Sequence, residues 1–235
     1  MRIALCLQGL SSGYNEKNNP VSSLPCLESI KSNIISINDN VDIFIHTWNE
    51  KKSIKDSIKH LFKKELKNSI FEKQIIFEDK NTPPIYQPVH NRQYHVTKSR
   101  LYSQMKSIEL KKQYEKENNF TYNFVMISRF DCLYYTPIDF TTLDPTKFYA
   151  SHWEGKTSAG VPHNLNGFLD YWFIANSSNM DLFGDLYNKV DEYLSEGISL
   201  SNHVLSKYYI EKLGLNDNIT YMLNEHKDFN LNRNY

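Results

Sequence analysis

The chain has 235 residues, a length that fits one large domain with or without a small appendage. Lysine and arginine together number 27, and aspartate and glutamate also number 27, so the chain has no net positive charge with which to attract nucleic acid. Hydrophobic residues make up 40% of the chain, which is enough for a buried core. These properties predict a globular protein that does not bind nucleic acid.

The cysteines and the N-terminal residues bear on the cellular compartment of the protein. Cys6, Cys26 and Cys132 stand far apart and include no CxxC pair, which disfavours a disulfide framework or a zinc ribbon and favours a reducing compartment. The apolar start of the chain is interrupted by Gln8 and Gly9 and is too short for a signal sequence. No apolar run approaches the roughly 18 residues of a membrane-spanning helix. We expect a soluble, cytoplasmic protein.

Predicted strands and helices alternate along the first half of the chain. Short apolar runs rich in strand formers predict strands at residues 2–7, 41–48, 74–79 and 124–127. Apolar residues at helical spacing predict helices from Ser22 or Ser23 to about Ile37, at residues 54–66 and at residues 99–117. Residues 80–97 contain three prolines and are predicted to form a loop. This alternation predicts an α/β fold with a mostly parallel, Rossmann-type sheet flanked by helices.

The second half of the chain is less regular. Strands are predicted at residues 147–153, 169–176 and 219–224, and helices at residues 179–194 and 201–213. Residues 156–167 are predicted to form a loop that could close over a substrate. We expect this half to shape a second pocket.

Arg129 and Asp131 follow the predicted strand at residues 124–127, with Phe130 between them. The carboxyl ends of the strands form the edge at which open α/β sheets bind ligands. The two charged residues therefore mark either a ligand site or an ion pair that closes a turn.

Several segments carry a family resemblance. The stretch DIFIHTW and the later series YSQMKSIELKKQYE, YNFVMISRFD and PID resemble GT-A-type glycosyltransferases. More narrowly, they resemble the small bacterial and viral enzymes of surface-polysaccharide synthesis that carry Arg-x-Asp in place of Asp-x-Asp. The resemblance is firm over residues 2–139 and covers most of the chain. It implies a metal-dependent hexosyltransferase that moves a sugar from a nucleotide-sugar donor to a growing glycan.

The resemblance also implies how the chain is organised. A single GT-A-like domain would comprise residues 1–235. Residues 1–131 would form the nucleotide-sugar-binding half, and residues 132–235 would form the acceptor-side half with its C-terminal helices.

A divalent metal, Mn²⁺ or Mg²⁺, is implied as the group that neutralises the diphosphate leaving group. Asp131, the last residue of the motif, is the implied metal ligand. GT-A enzymes often supply a late histidine as well, and of His203 and His226 we favour His226 because it lies near the chain end. Arg129 cannot ligate a metal, so we expect its planar guanidinium to contact the diphosphate or the sugar hydroxyls as a catalytic group.

Several residues are candidates for binding the nucleotide, because each lies at the end of a predicted strand or near the start of a predicted helix. They are Gln8, Gly9, Thr47, Trp48, Arg100, Ser103 and Arg129. Gly9 would let the backbone approach the nucleotide closely. Trp48 would stack on or wall the base, or else pack in the core. Arg100 lies near a helix N-terminus, where both its charge and the helix dipole suit a phosphate, although it could equally be a surface residue.

The candidates on the acceptor side follow Asp131. The resemblance points to Asp170, because fold relatives often present a catalytic or acceptor-binding carboxylate at the start of this strand. An inverting transferase needs such a base to deprotonate the acceptor hydroxyl, and a capping or turn role is the alternative for Asp170. His152, Trp153 and Glu154 follow another predicted strand and are further candidates.

Seven lysines lie on or beside the outer face of the predicted helix at residues 54–66, and they are Lys51, Lys52, Lys55, Lys59, Lys63, Lys64 and Lys67. They form either a solvated face or a surface for anionic lipid headgroups, such as those around a lipid-linked acceptor.

Two other functions stay open. A non-catalytic protein that binds nucleotides or sugars could keep the fold with only one acid in the motif. A sugar-phosphate nucleotidyltransferase shares the doubly wound half, but it usually has a glycine-rich loop with arginine and lysine after the first strand. Residues 8–20 contain two glycines and Lys17 but no arginine, which disfavours that function. The donor base, the sugar, the acceptor and the stereochemistry stay open.

Overall fold

The computed structural model of the protein describes residues 1–14, 20–80 and 87–232. Within these ranges the strands are β1 (Ile3–Gly9), β2 (Ser12–Tyr14), β3 (Pro20–Ser22), β4 (Val41–Thr47), β5 (Leu66–Phe71), β6 (Phe124–Arg129), β7 (Cys132–Tyr134), β8 (Phe148–His152), β9 (Leu169–Ala175), β10 (Ile219–Asn224) and β11 (Phe229–Leu231). The helices are α1 (Leu24–Ile30), α2 (Lys52–Phe62), α3 (Gln87–Asn118), α4 (His163–Asn166), α5 (Ser177–Gly184), α6 (Leu186–Ser195) and α7 (Asn202–Lys212).

The largest sheet has seven strands in the order β10-β8-β9-β6-β1-β4-β5. β9 is antiparallel to both of its neighbours, and the other pairs are parallel. From β1 the chain first builds outwards to β4 and β5, and then crosses back to add β6 on the other side of β1. The fold is therefore α/β with a mostly parallel sheet flanked by helices, as predicted, and the connection order of the sheet reverses between β1 and β6.

Apolar residues cover both faces of β1. Ile3 and Leu5 belong to a core on the side of α1 and α2. Ala4 and Cys6 point the other way, into a second core that α3, α5, α6 and α7 complete. This double burial explains why β1 is a nearly continuous apolar run, as the strands of parallel sheets are.

The strand predicted at residues 74–79 is wrong. The third strand of the first half is β5, which pairs with β4 from Leu66 to Phe71, so Leu66 belongs to a strand and not to the preceding helix. That helix ends at Phe62, and Lys63 adopts a left-handed φ of 39° that turns the chain towards β5. Residues 74–79 instead run beside α3, where the Phe77 N–H donates to Nδ1 of His95 at 3.2 Å.

Three helix boundaries also differ from the prediction. α3 begins at Gln87, so the loop predicted at residues 80–97 is helical from there on, and Pro88 falls in the first turn, where proline is tolerated. α1 continues as a π-helical turn, Lys31–Ile35, so the helix stops before Ile37, which is exposed. The helix predicted at residues 179–194 is two helices, α5 and α6, which meet at Gly184.

Two small antiparallel strand pairs were absent from the prediction, and one of them shapes the site. β2 pairs with β3, and β11 pairs with β7, which directly follows Asp131. The Asn232 N–H donates to the carbonyl of Asp131 at 2.8 Å. The end of the described chain therefore folds back onto the Arg-x-Asp segment.

Candidate functional site

A row of polar side chains crosses three neighbouring strands at the carboxyl edge of the sheet. Gln8 of β1 pairs with His46 of β4 on one side and with Arg129 of β6 on the other. Ala4 shares this face of β1 with Gln8 and belongs to the core under α3, so the row lies on the α3 side. Gln8, Gly9 and Arg129 therefore meet at the reversal between β1 and β6, where open α/β sheets bind ligands.

Two buried glutamines have side-chain amides without a hydrogen-bond partner among the described residues. Gln8 is buried, and neither its side-chain oxygen nor its side-chain nitrogen has a hydrogen-bond partner among the described residues. The same holds for Gln104 of α3. Most buried polar groups in proteins are paired, so the side-chain amide of Gln8 leaves unused hydrogen-bonding capacity at this edge.

Arg129 and Asp131 form a bidentate ion pair with each other. Nε of Arg129 donates to Oδ1 of Asp131 at 2.8 Å, and Nη2 donates to Oδ2 at 2.6 Å. Phe130 is buried between them, and its N–H donates to the carbonyl of Gln8 at 3.3 Å, which anchors the motif to β1. Burial lowers the pKa of Arg129, but the charge of Asp131 outweighs this and raises it. The two side chains are 20% and 17% exposed, so a ligand can reach both from solvent.

A second ion pair lies beside the first. Arg100 of α3 contacts Asp170 of β9, with 2.5 Å between Nη1 and Oδ2, and Nη2 of Arg100 also donates to the Asp170 carbonyl. Burial by itself raises the pKa of Asp170, but the positive charges around it, Arg100 first, outweigh burial and lower the pKa. Arg129 also acts electrostatically on both Arg100 and Asp170. We call Arg100, Arg129, Asp131 and Asp170 the charged cluster.

His203 of α7 joins the charged cluster from the acceptor-side half. Its Nδ1 lies 2.7 Å from the carbonyl oxygen of Phe168 and 3.4 Å from Oδ1 of Asp170. The ring packs against Trp153, with 4.6 Å between ring centroids, and Trp153 also stacks on His163 at 4.3 Å. Two of the predicted acceptor-side residues, Trp153 and Asp170, therefore meet through a histidine that the sequence suggested only as a metal ligand.

A buried hydrogen-bond relay connects Gly9 to Glu72. The Gly9 N–H donates to Oγ of Ser103 at 2.7 Å, Oγ lies 2.7 Å from Nδ1 of His46, and Nε2 of His46 lies 2.7 Å from Oε1 of Glu72. Burial is the main reason why the pKa of His46 is lowered. A neutral His46 therefore donates from Nε2 to the carboxylate and accepts the Ser103 hydroxyl proton at Nδ1. Ser103 thus orients the end of β1 from within the protein.

A cavity opens where β4 and β5 end. Its volume is about 420 Å³, and it is lined by Ser12, Trp48, Asn49, Glu50, Lys51, Glu72, Lys73 and Gln74. Trp48 is only 6% exposed, stacks on Tyr102 with 5.2 Å between centroids, and donates from Nε1 to the carbonyl of Ser99 at 3.3 Å. Trp48 is therefore both a core residue and a wall of the cavity.

Other predicted residues have structural partners. Thr47 is fully buried, and its hydroxyl donates to Oγ of Ser11 at 2.9 Å, which ties the end of β4 to the loop after β1. His152 is exposed and contacts the ring of Tyr221. These contacts stabilise the edge without facing the charged cluster.

His226 lies in the turn between β10 and β11, is 73% exposed, and has Oε2 of Glu225 at 4.0 Å. Asp131 lies at the other end of β11, because Leu231 pairs with Cys132 and Phe229 pairs with Tyr134. Three strand residues span about 10 Å, so the turn does not bring His226 to Asp131. No group of three or more His, Cys, Asp and Glu arranged to hold a metal occurs in residues 1–14, 20–80 and 87–232. Asp131 alone offers a carboxylate at the motif.

Two residues of the hydrogen-bond relay were missed by the sequence analysis. His46 lies within the quoted segment DIFIHTW, and its position next to Gln8 in the ladder depends on strand register. Glu72 was placed between a helix and the strand wrongly predicted at residues 74–79, so its place at the end of β5 was hidden. A polar residue near the end of a buried strand was the available signal for His46, whereas β5 is only half-buried and gave no such signal for Glu72.

The seven lysines on and beside α2 are all exposed. Exposure is required both of a solvated face and of a surface for anionic lipid headgroups. Within the described ranges, no helix combines the length and the apolar character needed to cross a bilayer.

Comparison of the chain with protein-family models found no match, and comparison with curated protein sequences found none either.

Proposed function

We propose that the protein is a GT-A-like glycosyltransferase that moves a sugar from a nucleotide-sugar donor to a growing glycan. One observation carries the proposal, namely the charged cluster beside the reversal between β1 and β6, at the edge where open α/β sheets bind ligands. Two arginines and two carboxylates converge there, because Arg100 of α3 and Asp170 of β9, which are 70 residues apart, meet beside the Arg129–Asp131 pair at the end of β6. Such a set of charges suits a diphosphate leaving group and the hydroxyl groups of sugars.

The cavity and the charged cluster have the spacing that a donor needs. Arg129 ends β6 and Trp48 follows β4, and β1 lies between these two strands. Strands are spaced about 4.8 Å apart, so the two sites lie about 10 Å apart across the edge, comparable with the reach from a diphosphate through a ribose to a base. We place the diphosphate beside Gly9 and Arg129, and the nucleoside in the cavity.

Gly9 suits a close approach of the diphosphate. Its φ is +104°, a value that favours glycine, and a Cβ built on it would meet nothing within 4 Å. The space beside this backbone is therefore open on the side where a side chain would otherwise project. Arg129 then supplies positive charge as the bond from the anomeric carbon to the diphosphate breaks.

A divalent metal fits this proposal through Asp131, because Mg²⁺ in such sites is commonly held by one or two carboxylates together with substrate phosphates. When bound, Mn²⁺ or Mg²⁺ would supply charge neutralisation of the leaving group. His226 is not part of this proposal, since the turn that carries it lies at the far end of β11. Arg129 would exchange part of its pairing with Asp131 for the diphosphate.

The acceptor is proposed to lie against the second half, near Asp170 and Trp153. A surface polysaccharide, a capsule chain or a lipid-linked oligosaccharide would fit a cytoplasmic enzyme whose exposed α2 lysines face anionic headgroups. Co-sedimentation with vesicles that contain phosphatidylglycerol, compared with neutral vesicles, tests that contact. Equal recovery with both kinds of vesicle would leave the lysines as a solvated face.

The experiment that tests the function screens UDP-, GDP-, dTDP- and CMP-sugars by thermal shift with and without Mn²⁺, followed by nucleotide release from whichever donor binds. A ligand that binds only the native state raises the free energy of unfolding by RT ln(1 + [L]/Kd), and the melting temperature rises as a result. We expect one nucleotide class to bind and its sugar to be slowly released to water. Binding without any turnover would favour the non-catalytic alternative, and no binding at all would refute the proposal.

A further inference from the structure

One ring nitrogen of His203 makes a hydrogen bond to the backbone, and the other is available to accept a proton. A carbonyl oxygen only accepts hydrogen bonds, so the 2.7 Å contact with Phe168 places a proton on Nδ1 of His203. In the neutral ring, Nε2 then carries the lone pair. No hydrogen bond to Nε2 occurs within the described residues, and the side chain is 33% exposed. This is the arrangement of a histidine oriented to take up a proton.

The backbone around His203 holds the ring in place. The Phe168 N–H donates to the carbonyl of His203 at 3.1 Å, so the two residues are bonded in both directions. Gly167 lies against the same backbone, and a Cβ there would stand only 3.0 Å from the carbonyl carbon and oxygen of His203. The segment just before β9 therefore fixes the backbone of His203, and the hydrogen bond from Nδ1 to Phe168 orients its ring.

Asp170 is poorly suited to be the base itself. It is 4% exposed, its Oδ2 is held by Arg100 at 2.5 Å, and its Oδ1 faces Nδ1 of His203 at 3.4 Å. The lowered pKa of Asp170 further weakens its affinity for a proton. The same contacts suit a residue that orients a histidine and stabilises its protonated form.

We propose that His203 is the catalytic base that deprotonates the acceptor hydroxyl, and that Asp170 positions it. This inference rests on the proposed glycosyltransferase function. In the step, the acceptor oxygen bonds to the anomeric carbon while the bond from that carbon to the diphosphate oxygen breaks. The acceptor proton passes to Nε2 of His203, the diphosphate leaves with the bonding electron pair, and the anomeric configuration inverts. His203 then returns the proton to solvent.

Charged and titratable groups from three elements surround His203. Asp170 faces it from β9, Arg100 lies behind Asp170 on α3, and His163 on α4 stacks on Trp153, the ring that also packs against His203.

The test uses the full-length protein and the nucleotide sugar that binds best in the thermal-shift screen, with water in place of the acceptor. His203→Gln is compared with His60→Gln, a matched change of an exposed histidine on α2. We expect His203→Gln to reduce hydrolysis about a hundredfold or more while the donor Kd stays within about twofold of wild type. We expect His60→Gln to change neither quantity.

The pH profile and the stereochemistry of hydrolysis also test the role of His203. Its kcat is expected to fall as the pH is lowered through the range in which histidines titrate, about pH 8 to 5. Its released sugar, followed by NMR, is expected to carry the anomeric configuration opposite to that of the donor. In His203→Gln the acidic limb of the pH profile should be lost.

The outcomes separate this inference from the function on which it rests. A folded His203→Gln that keeps wild-type hydrolysis and its pH profile, or a wild type that releases sugar with retained configuration, overturns the role of His203 while donor turnover still supports a transferase. A wild type that binds none of the nucleotide sugars overturns both. Loss of donor affinity in His203→Gln would assign the residue to donor binding and refute its role as base.

Discussion

Arg129 and Asp131 hold each other through two parallel hydrogen bonds of 2.8 Å and 2.6 Å, although only Phe130 separates them in the chain. The pair sits beside the reversal between β1 and β6 and is partly exposed. A pair that only closes a turn and a pair that opens to receive a diphosphate would both show this geometry. Substitutions of the two residues distinguish them, because only the second arrangement links the pair to activity.

Asp131→Asn removes the carboxylate charge and preserves the shape of the side chain. We expect the variant to fold and to lose Mn²⁺-stimulated nucleotide release by about a hundredfold, because the proposed metal ligand is gone and Arg129 loses its counter-charge. Nucleotide release with Mn²⁺ and with EDTA is the measurement. Asp56→Asn, an exposed change on α2, is the matched control. Full activity of folded Asp131→Asn in EDTA would exclude the metal role of Asp131.

Arg129→Lys keeps the positive charge and removes the planar fork. We expect turnover to fall roughly ten- to a hundredfold, the equivalent of about 1 to 3 kcal/mol for a charge-assisted hydrogen bond. Steady-state kinetics with the same donor, together with a urea unfolding curve, is the measurement. Reduced stability with unchanged turnover of the folded fraction would show that the pair closes a turn and does nothing further.

Glu72→Gln tests the cavity, because Glu72 lines it and receives the His46 Nε2–H at 2.7 Å. We expect the oriented carboxylate to accept a ribose hydroxyl, so the substitution should weaken nucleotide binding about tenfold, or about 1.4 kcal/mol. Titration calorimetry with ribo- and 2′-deoxyribonucleotides is the measurement. The loss should be smaller for the deoxy ligand if the 2′-hydroxyl is the partner. Glu192→Gln, on the exposed face of α6, should leave both affinities unchanged, and equal losses in the two variants would contradict the assignment.

The Arg100–Asp170 pair is expected to make stability depend on pH. The pKa of Asp170 is lower in the folded state than in an unfolded chain, where Asp has a value of about 3.9. Its contribution to the free energy of unfolding is therefore present above about pH 4 and is lost as the pH falls towards the folded-state pKa. Asp170→Asn leaves Arg100 buried without its counter-charge and should lower stability at pH 7 by about 3 kcal/mol.

Urea unfolding of wild type and Asp170→Asn between pH 3 and 7 checks that expectation, since the difference between them should shrink at the acidic end. Arg100→Met removes the other partner of the ion pair, and the two single variants and the double variant together measure the interaction between the two side chains. If the two single changes and the double change are additive in free energy, the two side chains do not stabilise each other in solution.

Much of the fold follows from local patterns. Apolar runs that end in polar residues located β1, β4, β6 and β9, because a strand buried on both faces needs a continuous apolar run whatever its neighbours are. The same pattern placed Gln8, Gly9, Arg129 and Asp131 at strand ends. Parallel strands present these ends at one edge, so their meeting was also accessible from the sequence.

The tertiary structure decided the rest. The choice between Leu66–Phe71 and residues 74–79 as the third strand depends on pairing with β4, and local propensity does not report pairing. Arg100 and Asp170 are 70 residues apart, and His203 reaches Asp170 from another helix. Contacts of that range leave no periodic signal in the sequence, because they form only after α3 and α7 pack against the sheet. The sequence alone therefore determined several residues of the carboxyl edge, whereas strand pairing and packing determined the others, such as Glu72, and which of the side chains touch.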